Sequence, residues 1–160
     1  LIIDSLNLII GNLQKNDIQS KDSIMQLLQA SYMAGIVQNH CSTGLCHAIS
    51  HNLVNLGVGH GRLNAIFLPD VMRFNYSKDR QKLDNLSSDL GFNSGTELIS
   101  FIEEIKEYYS ISDLSSCTDS DIQEIEISSL INNIRQDITY RTTPFEITDE
   151  ELIKLLNTNF

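Results

Sequence analysis

Apolar residues recur at intervals of three and four along much of this chain of 160 residues, and they are Leu and Ile rather than Val. Leu98, Ile102, Ile105 and Tyr109 fall at i, i+4, i+7 and i+11, and Ile127, Ile131, Ile134 and Ile138 repeat that spacing. Leu83, Leu86 and Leu90 stand at i, i+3 and i+7. This period gathers side chains on one face of an α-helix, whereas a half-buried strand needs strict alternation. Ile occurs 21 times and Leu 20 times against 4 Val, and no Val/Thr/Tyr run alternates, so strand formation has little to act on. The expected fold is all-α, a multi-helix bundle. With 41% hydrophobic residues, residues 1–160 can form one domain around one core.

Local signals bound the helices. Ser94-x-x-Glu97 and Thr148-x-x-Glu151 have the form of capping boxes, with Ile147 and Leu152 as a hydrophobic staple around the second. Thr118-x-x-Asp121 is a weaker start, and Gly91 fits a C-terminal stop. The spacing predicts helices near 4–14, 20–38, 43–56, 61–74, 77–90, 95–110, 119–137 and 149–157, joined by short polar turns.

Charge narrows the function. There are 11 Lys+Arg against 21 Asp+Glu, a formal net charge of -10. Most of it lies in residues 101–160, which hold 13 acids and 4 bases and read as a solvated helix face. Nucleic acid and anionic membrane surfaces need clustered cations, so neither is an expected partner. No apolar run approaches the roughly 18 residues that span a bilayer. The start, Leu1-Ile2-Ile3-Asp4, has neither Met nor a basic region, so no secretory signal is read there and the chain is expected to be a piece of a longer protein. Cys41, Cys46 and Cys117 are an odd set without metal-type spacing, which suits reduced thiols and a cytoplasmic location.

All four histidines lie between positions 40 and 60. On a helix over 43–56, Leu45, Ile49, Leu53 and Leu56 form one stripe. His47 and His51, at i and i+4, form another, roughly 200° away at 100° per residue. Two such imidazoles can reach one metal ion, and His60 follows a turn, Gly57-Val58-Gly59, that can fold it back beside them. His suits Zn and Fe(II). Without a nearby carboxylate, spacing leaves two readings open: an incomplete metal site, or ordinary hydrogen-bonded histidines. Cys46 beside His47 reads as a small buried thiol, since adjacent helix residues do not face each other. Glu103-Glu104 reads as a solvated face, and Asp149-Glu150-Glu151 as favourable charge at a helix start. No GxGxxG, P-loop or GxSxG is present to cradle a dinucleotide or present a nucleophile.

The same stretch carries a resemblance. Ala34-Gly35-Ile36, then Thr43-Gly44-Leu45-Cys46-His47-Ala48-Ile49-Ser50-His51, His60-Gly61, and Asn64-Ala65-Ile66-Phe67-Leu68-Pro69-Asp70-Val71-Met72-Arg73-Phe74-Asn75 are similar to the iron-containing (group III) alcohol dehydrogenases. Thr143-Pro144-Phe145-Glu146-Ile147-Thr148 resembles the family's closing segment. The similarity runs in order along the chain and is most specific at 43–75.

The resemblance implies the C-terminal helical domain of a dehydroquinate-synthase-like, iron alcohol dehydrogenase fold, with the N-terminal dinucleotide-binding domain outside this chain. It implies His47 and His60 as metal ligands for Fe(II), or Zn(II) in its place. It implies His51 as the catalytic residue beside the nicotinamide of NAD or NADP. The other ligands, an Asp and a His in a D-x3-H motif, are expected before Leu1, preceded by a GGGS-type phosphate loop. Expected partners are the chain's own N-terminal domain and a small alcohol, aldehyde or sugar-acid substrate, with a homodimer as one admissible assembly. There are departures from the family pattern. His47 to His60 spans 13 residues, one short of the common pattern; Asn52, Val54 and Gly59 replace a Pro, a Gly and a Pro; and Asp70 stands where His is frequent. These departures bear on turn geometry and substrate class; the competing reading of the chain is a non-catalytic helical binding or scaffold module, a degenerate relative without a complete metal site.

Overall fold

The computed structural model describes residues 1–15, 18–111, 113–114 and 126–160. Among the described residues there are eight α-helices and no strand. They are α1 (Ile2–Gln14), α2 (Lys21–Cys41), α3 (Leu45–His51), α4 (His60–Lys78), α5 (Arg80–Asp89), α6 (Gly95–Tyr108), α7 (Ile127–Gln136) and α8 (Asp149–Asn157). Short 3-10 turns cover Val54–Leu56 and Ile138–Thr142.

The expected all-α bundle is observed, and the differences lie at boundaries. The helix expected over 43–56 ends at His51. Asn52 caps it, its side-chain amide donating to the Ala48 carbonyl at 2.9 Å, and a 3-10 turn takes up the rest. The break expected after residue 74 falls at Asp79, whose carboxylate accepts from the Lys82 N–H and starts α5. Of the helix expected over 119–137, residues 119–125 and the Thr118 start signal lie outside the described residues.

Thr148 and Glu151 form the complete capping box, and Ile147 and Leu152 are both buried beside it. Ser94 accepts from the Glu97 N–H as expected, but Glu97 reaches back to the N–H and side chain of Asn93, not to Ser94 itself. Gly91 is left-handed at φ 84°, and the N–H groups of Gly91 and Phe92 bond the Ser88 and Ser87 carbonyls. That pair is a Schellman close to α5.

The core is built from α3, α4, α7 and α8: Leu45, Ile49 and Leu53 meet Leu63, Ile66, Phe67 and Val71, with Leu130, Ile131, Ile134, Ile147, Leu152 and Leu156 behind them. Ile138, the last position of the α7 stripe, is instead 73% exposed, because the helix stops at Gln136 and Asp137 begins a turn. Pro69 lies buried inside α4 and has no N–H to give the preceding turn; nearby, Lys106 of α6 donates to the Ile66 carbonyl at 3.0 Å. The main contacts of α1 and α2 are with each other, joined by a buried bond from Ser5 Oγ to the Ala30 carbonyl.

Candidate metal centre

The histidine cluster follows from how α3 sits on the core. Leu45, Ile49 and Leu53 turn inward and are at most 2% exposed, so His47 and His51 point away from them. The chain then reverses through Gly57, which is left-handed at φ 81°. Gly59 does not use the same freedom: at φ −60° it serves as N-cap of α4, and His60 is the first residue of that helix. The contacts run in antiparallel order, His51 against His60, and Ser50 and Cys46 against Asn64.

The three imidazoles therefore converge. Ring centroids are 5.8 Å apart for His47–His51 and 5.0 Å for both His47–His60 and His51–His60, the last pair stacked. One ligand nitrogen of each lies within 4.8 Å of those of the other two. Nitrogens sharing a tetrahedral ion stand about 3.3 Å apart, so the three lie within about 1.5 Å of that spacing. Three neutral imidazoles are a donor set that fits Fe(II) or Zn(II).

Two further residues hold the rings. The Asn64 amide Nδ2 lies 3.0 Å from His60 Nε2, and its Oδ1 accepts from Ser50 Oγ at 3.0 Å. The lone pair that Asn64 engages is one an ion would take, so loading at Nε2 exchanges this hydrogen bond for a metal bond. Asp137 Oδ2 lies 3.0 Å from His51 Nδ1, while its Oδ1 accepts from the Thr139 N–H at 2.8 Å and the Thr139 hydroxyl at 2.6 Å. Burial, then the neighbouring His60 and His51, lower the pKa of His47, against a smaller opposing pull from Asp137. A lowered value keeps that imidazole neutral, the form in which it binds metal. Burial raises the Asp137 carboxyl, but Thr139 and His51 together outweigh it and hold it below the usual aspartate range.

Sequence reasoning placed His47, His51 and His60 and missed Asn64 and Asp137. Asn64 stands at i+4 from His60, a signal available in the sequence. Asp137 is 86 residues from His51, and no local pattern joins them. His40 is apart from the cluster, its Nδ1 on the Ile36 carbonyl. Cys46 is buried and its thiol is pushed up to about 12 by burial, so it is the inert thiol expected. Glu103 is not simply solvated: it pairs with Arg73, which also donates to Asp70 at 2.9 Å.

The whole chain, residues 1–160, matches the C-terminal part of the Fe-containing alcohol dehydrogenase family. An alcohol dehydrogenase of Thermococcus barophilus is 33% identical over 133 residues, covering 82% of this chain and 35% of that protein. The NAD-dependent methanol dehydrogenase of Bacillus methanolicus is 24% identical over 149 residues, covering 88% of this chain and 38% of that protein. Among solved structures, an iron-containing alcohol dehydrogenase from Thermococcus thioreducens superposes with a TM-score of 0.88 at 28% identity, over 98% of this chain and 42% of that one. A sulfoacetaldehyde reductase from Bifidobacterium kashiwanohense, solved with NAD+, shares the fold with a TM-score of 0.80 at 20% identity, over 98% and 42%. This chain belongs to the iron-containing alcohol dehydrogenase family and corresponds to its C-terminal, all-helical part. It spans about a third of the length of the curated relatives it matches.

Proposed function

We propose that this chain is the metal-holding helical domain of an NAD(P)-linked alcohol dehydrogenase or carbonyl reductase. The observation that carries the reading is the convergence of His47, His51 and His60 within 4.8 Å in a chain of this family. His47 and His60 are the ligands contributed here. The D-x3-H ligands and the dinucleotide-binding domain come from residues preceding Leu1. When bound, Fe(II) or Zn(II) supplies Lewis acidity toward an alcohol or carbonyl oxygen, and NAD(P) supplies hydride exchange. His47 stays neutral through its burial and its imidazole neighbours, which keeps its lone pair available. His51 holds or passes a proton on the nicotinamide side. The substrate class is a small alcohol, aldehyde or sugar acid.

The test is metal content and turnover measured together on the full-length protein. His47→Ala is expected to remove both, because a lost ligand opens the coordination sphere. His51→Ala is expected to keep the metal and lower the rate by about 100-fold, the scale of a general acid–base contribution. Equal metal loss in both variants would show that the ligand assignment is wrong. A wild-type protein with neither metal nor turnover would replace the enzyme reading with that of a helical binding module.

A further inference from the structure

Of the three clustered imidazoles, His51 is the one backed by a carboxylate among the described residues. His60 faces an amide. Asp137 is not a loose surface acid: its side chain is 14% exposed, and it stands where α7 gives way to the 3-10 turn Ile138–Thr142. That turn packs against α3, the helix that carries His51. The two carboxylate oxygens have separate tasks. Oδ1 is fixed by the N–H and hydroxyl of Thr139, and Oδ2 faces His51 Nδ1.

An ionised carboxylate has only acceptors to offer, so the nitrogen it faces must carry the proton. Neutral His51 is then the Nδ1–H tautomer, and its Nε2 is a bare acceptor. Because Thr139 anchors the other oxygen, the carboxylate cannot follow a ring that turns away. We infer that Asp137 is a positioning residue: it fixes the tautomer and plane of His51 so that Nδ1 carries the proton and Nε2 keeps its lone pair as an acceptor. This rests on the functional reading above, in which His51 handles a proton. It adds the group that decides which nitrogen does so. Asp137 acts through His51, which its Oδ2 faces at 3.0 Å.

The test is long-range proton–nitrogen NMR of the 160-residue chain with labelled histidine, above the pH at which imidazoles protonate. Wild type is expected to hold His51 with at least about a tenfold excess of Nδ1–H, the equivalent of one charge-assisted hydrogen bond. Asp137→Asn keeps a carbonyl oxygen for the Thr139 N–H, so the turn stays capped, but it presents an N–H2 to His51. The excess is expected to vanish or invert toward Nε2–H. Asp137→Ser is a second capping residue that lacks the carboxylate, and it too is expected to abolish the Nδ1–H excess. Circular dichroism checks that each variant folds, since a merely structural role would alter the melting curve and leave the tautomer unchanged. Wild type holding Nε2–H, or a tautomer ratio unchanged in both folded variants, would overturn the inference. Neither outcome depends on metal, so a failure here is distinct from failure of the functional reading, which shows in the metal content of the full-length protein.

Discussion

Cys41 and Cys46 stand five positions apart and in opposite surroundings, the first exposed and the second buried. Cys46 donates its thiol proton toward the Asn64 carbonyl at 3.4 Å, and burial pushes its pKa up to about 12. The nucleophile in alkylation is the thiolate, so Cys46 has almost none to offer near neutral pH. Timed iodoacetamide treatment of the native chain, read by peptide mass spectrometry, is expected to modify Cys41 at least about tenfold faster than Cys46. Comparable rates would mean that α3 does not hold Cys46 against α4. The same packing matters for the site, because Cys46 and Ser50 meet Asn64 one turn beyond His60.

Among the elements, α8 offers the cleanest measurement. Thr148 accepts from the Glu151 N–H at 3.2 Å and Glu151 bonds the Thr148 N–H at 2.9 Å. Losing the cap through Thr148→Ala is expected to cost about 1 kcal/mol in denaturant unfolding. Glu151 also pairs with Lys78 at 2.7 Å, and that bond, then the Thr148 N–H, outweigh a slight desolvation and lower its pKa from 4.5. A depressed carboxyl stabilises the fold above its unfolded value, and the benefit is lost as pH falls through the folded value. The melting temperature gap between wild type and Glu151→Gln is therefore expected to be full above the ordinary glutamate range and to shrink as pH falls through the lowered folded value; a gap that stays constant down to strong acid would assign it to packing instead. The helix over 149–157 was legible to the residue because cap, staple and periodicity agree there. The end of α3 was not: the Leu45, Ile49, Leu53, Leu56 stripe continues past His51, while Asn52 folds onto Ala48 and ends the helix. Periodicity reports which face is buried, and it is blind to a side chain that caps its own helix. In the site, the three histidines were legible because fourteen consecutive positions hold them, and Asp137 was not, because only the folded chain brings it there.

For the whole molecule, the division of labour is between the α1–α2 pair and the rest. These two helices pack chiefly on each other, and α2 leaves Ile24, Met25, Leu28 and Tyr32 between 46% and 72% exposed. The core, by contrast, joins α3, α4, α7 and α8 through fully buried Ile49, Leu63, Ile66, Phe67, Ile134 and Leu152. Cooperative opening follows buried contact, so native-state hydrogen exchange is expected to release the amides of α1 and α2 well before those of α3 and α4. Uniform protection across all four helices would show that the pair is locked to the core by contacts weaker than those that build it. Among the described residues no helix is long and apolar enough to cross a membrane.

The separations within the cluster carry a consequence for how it assembles in time. His47 and His60 are joined by a loop of 13 residues, closed cheaply and early, whereas the partner of His51 arrives from 86 residues downstream. Loop closure thus favours, in a partly folded chain, joining the pair of metal-type nitrogens over orienting His51. Any ion captured at that stage would meet a ring still free to rotate. The orientation of one imidazole is, in effect, a record of whether the C-terminal segment has docked.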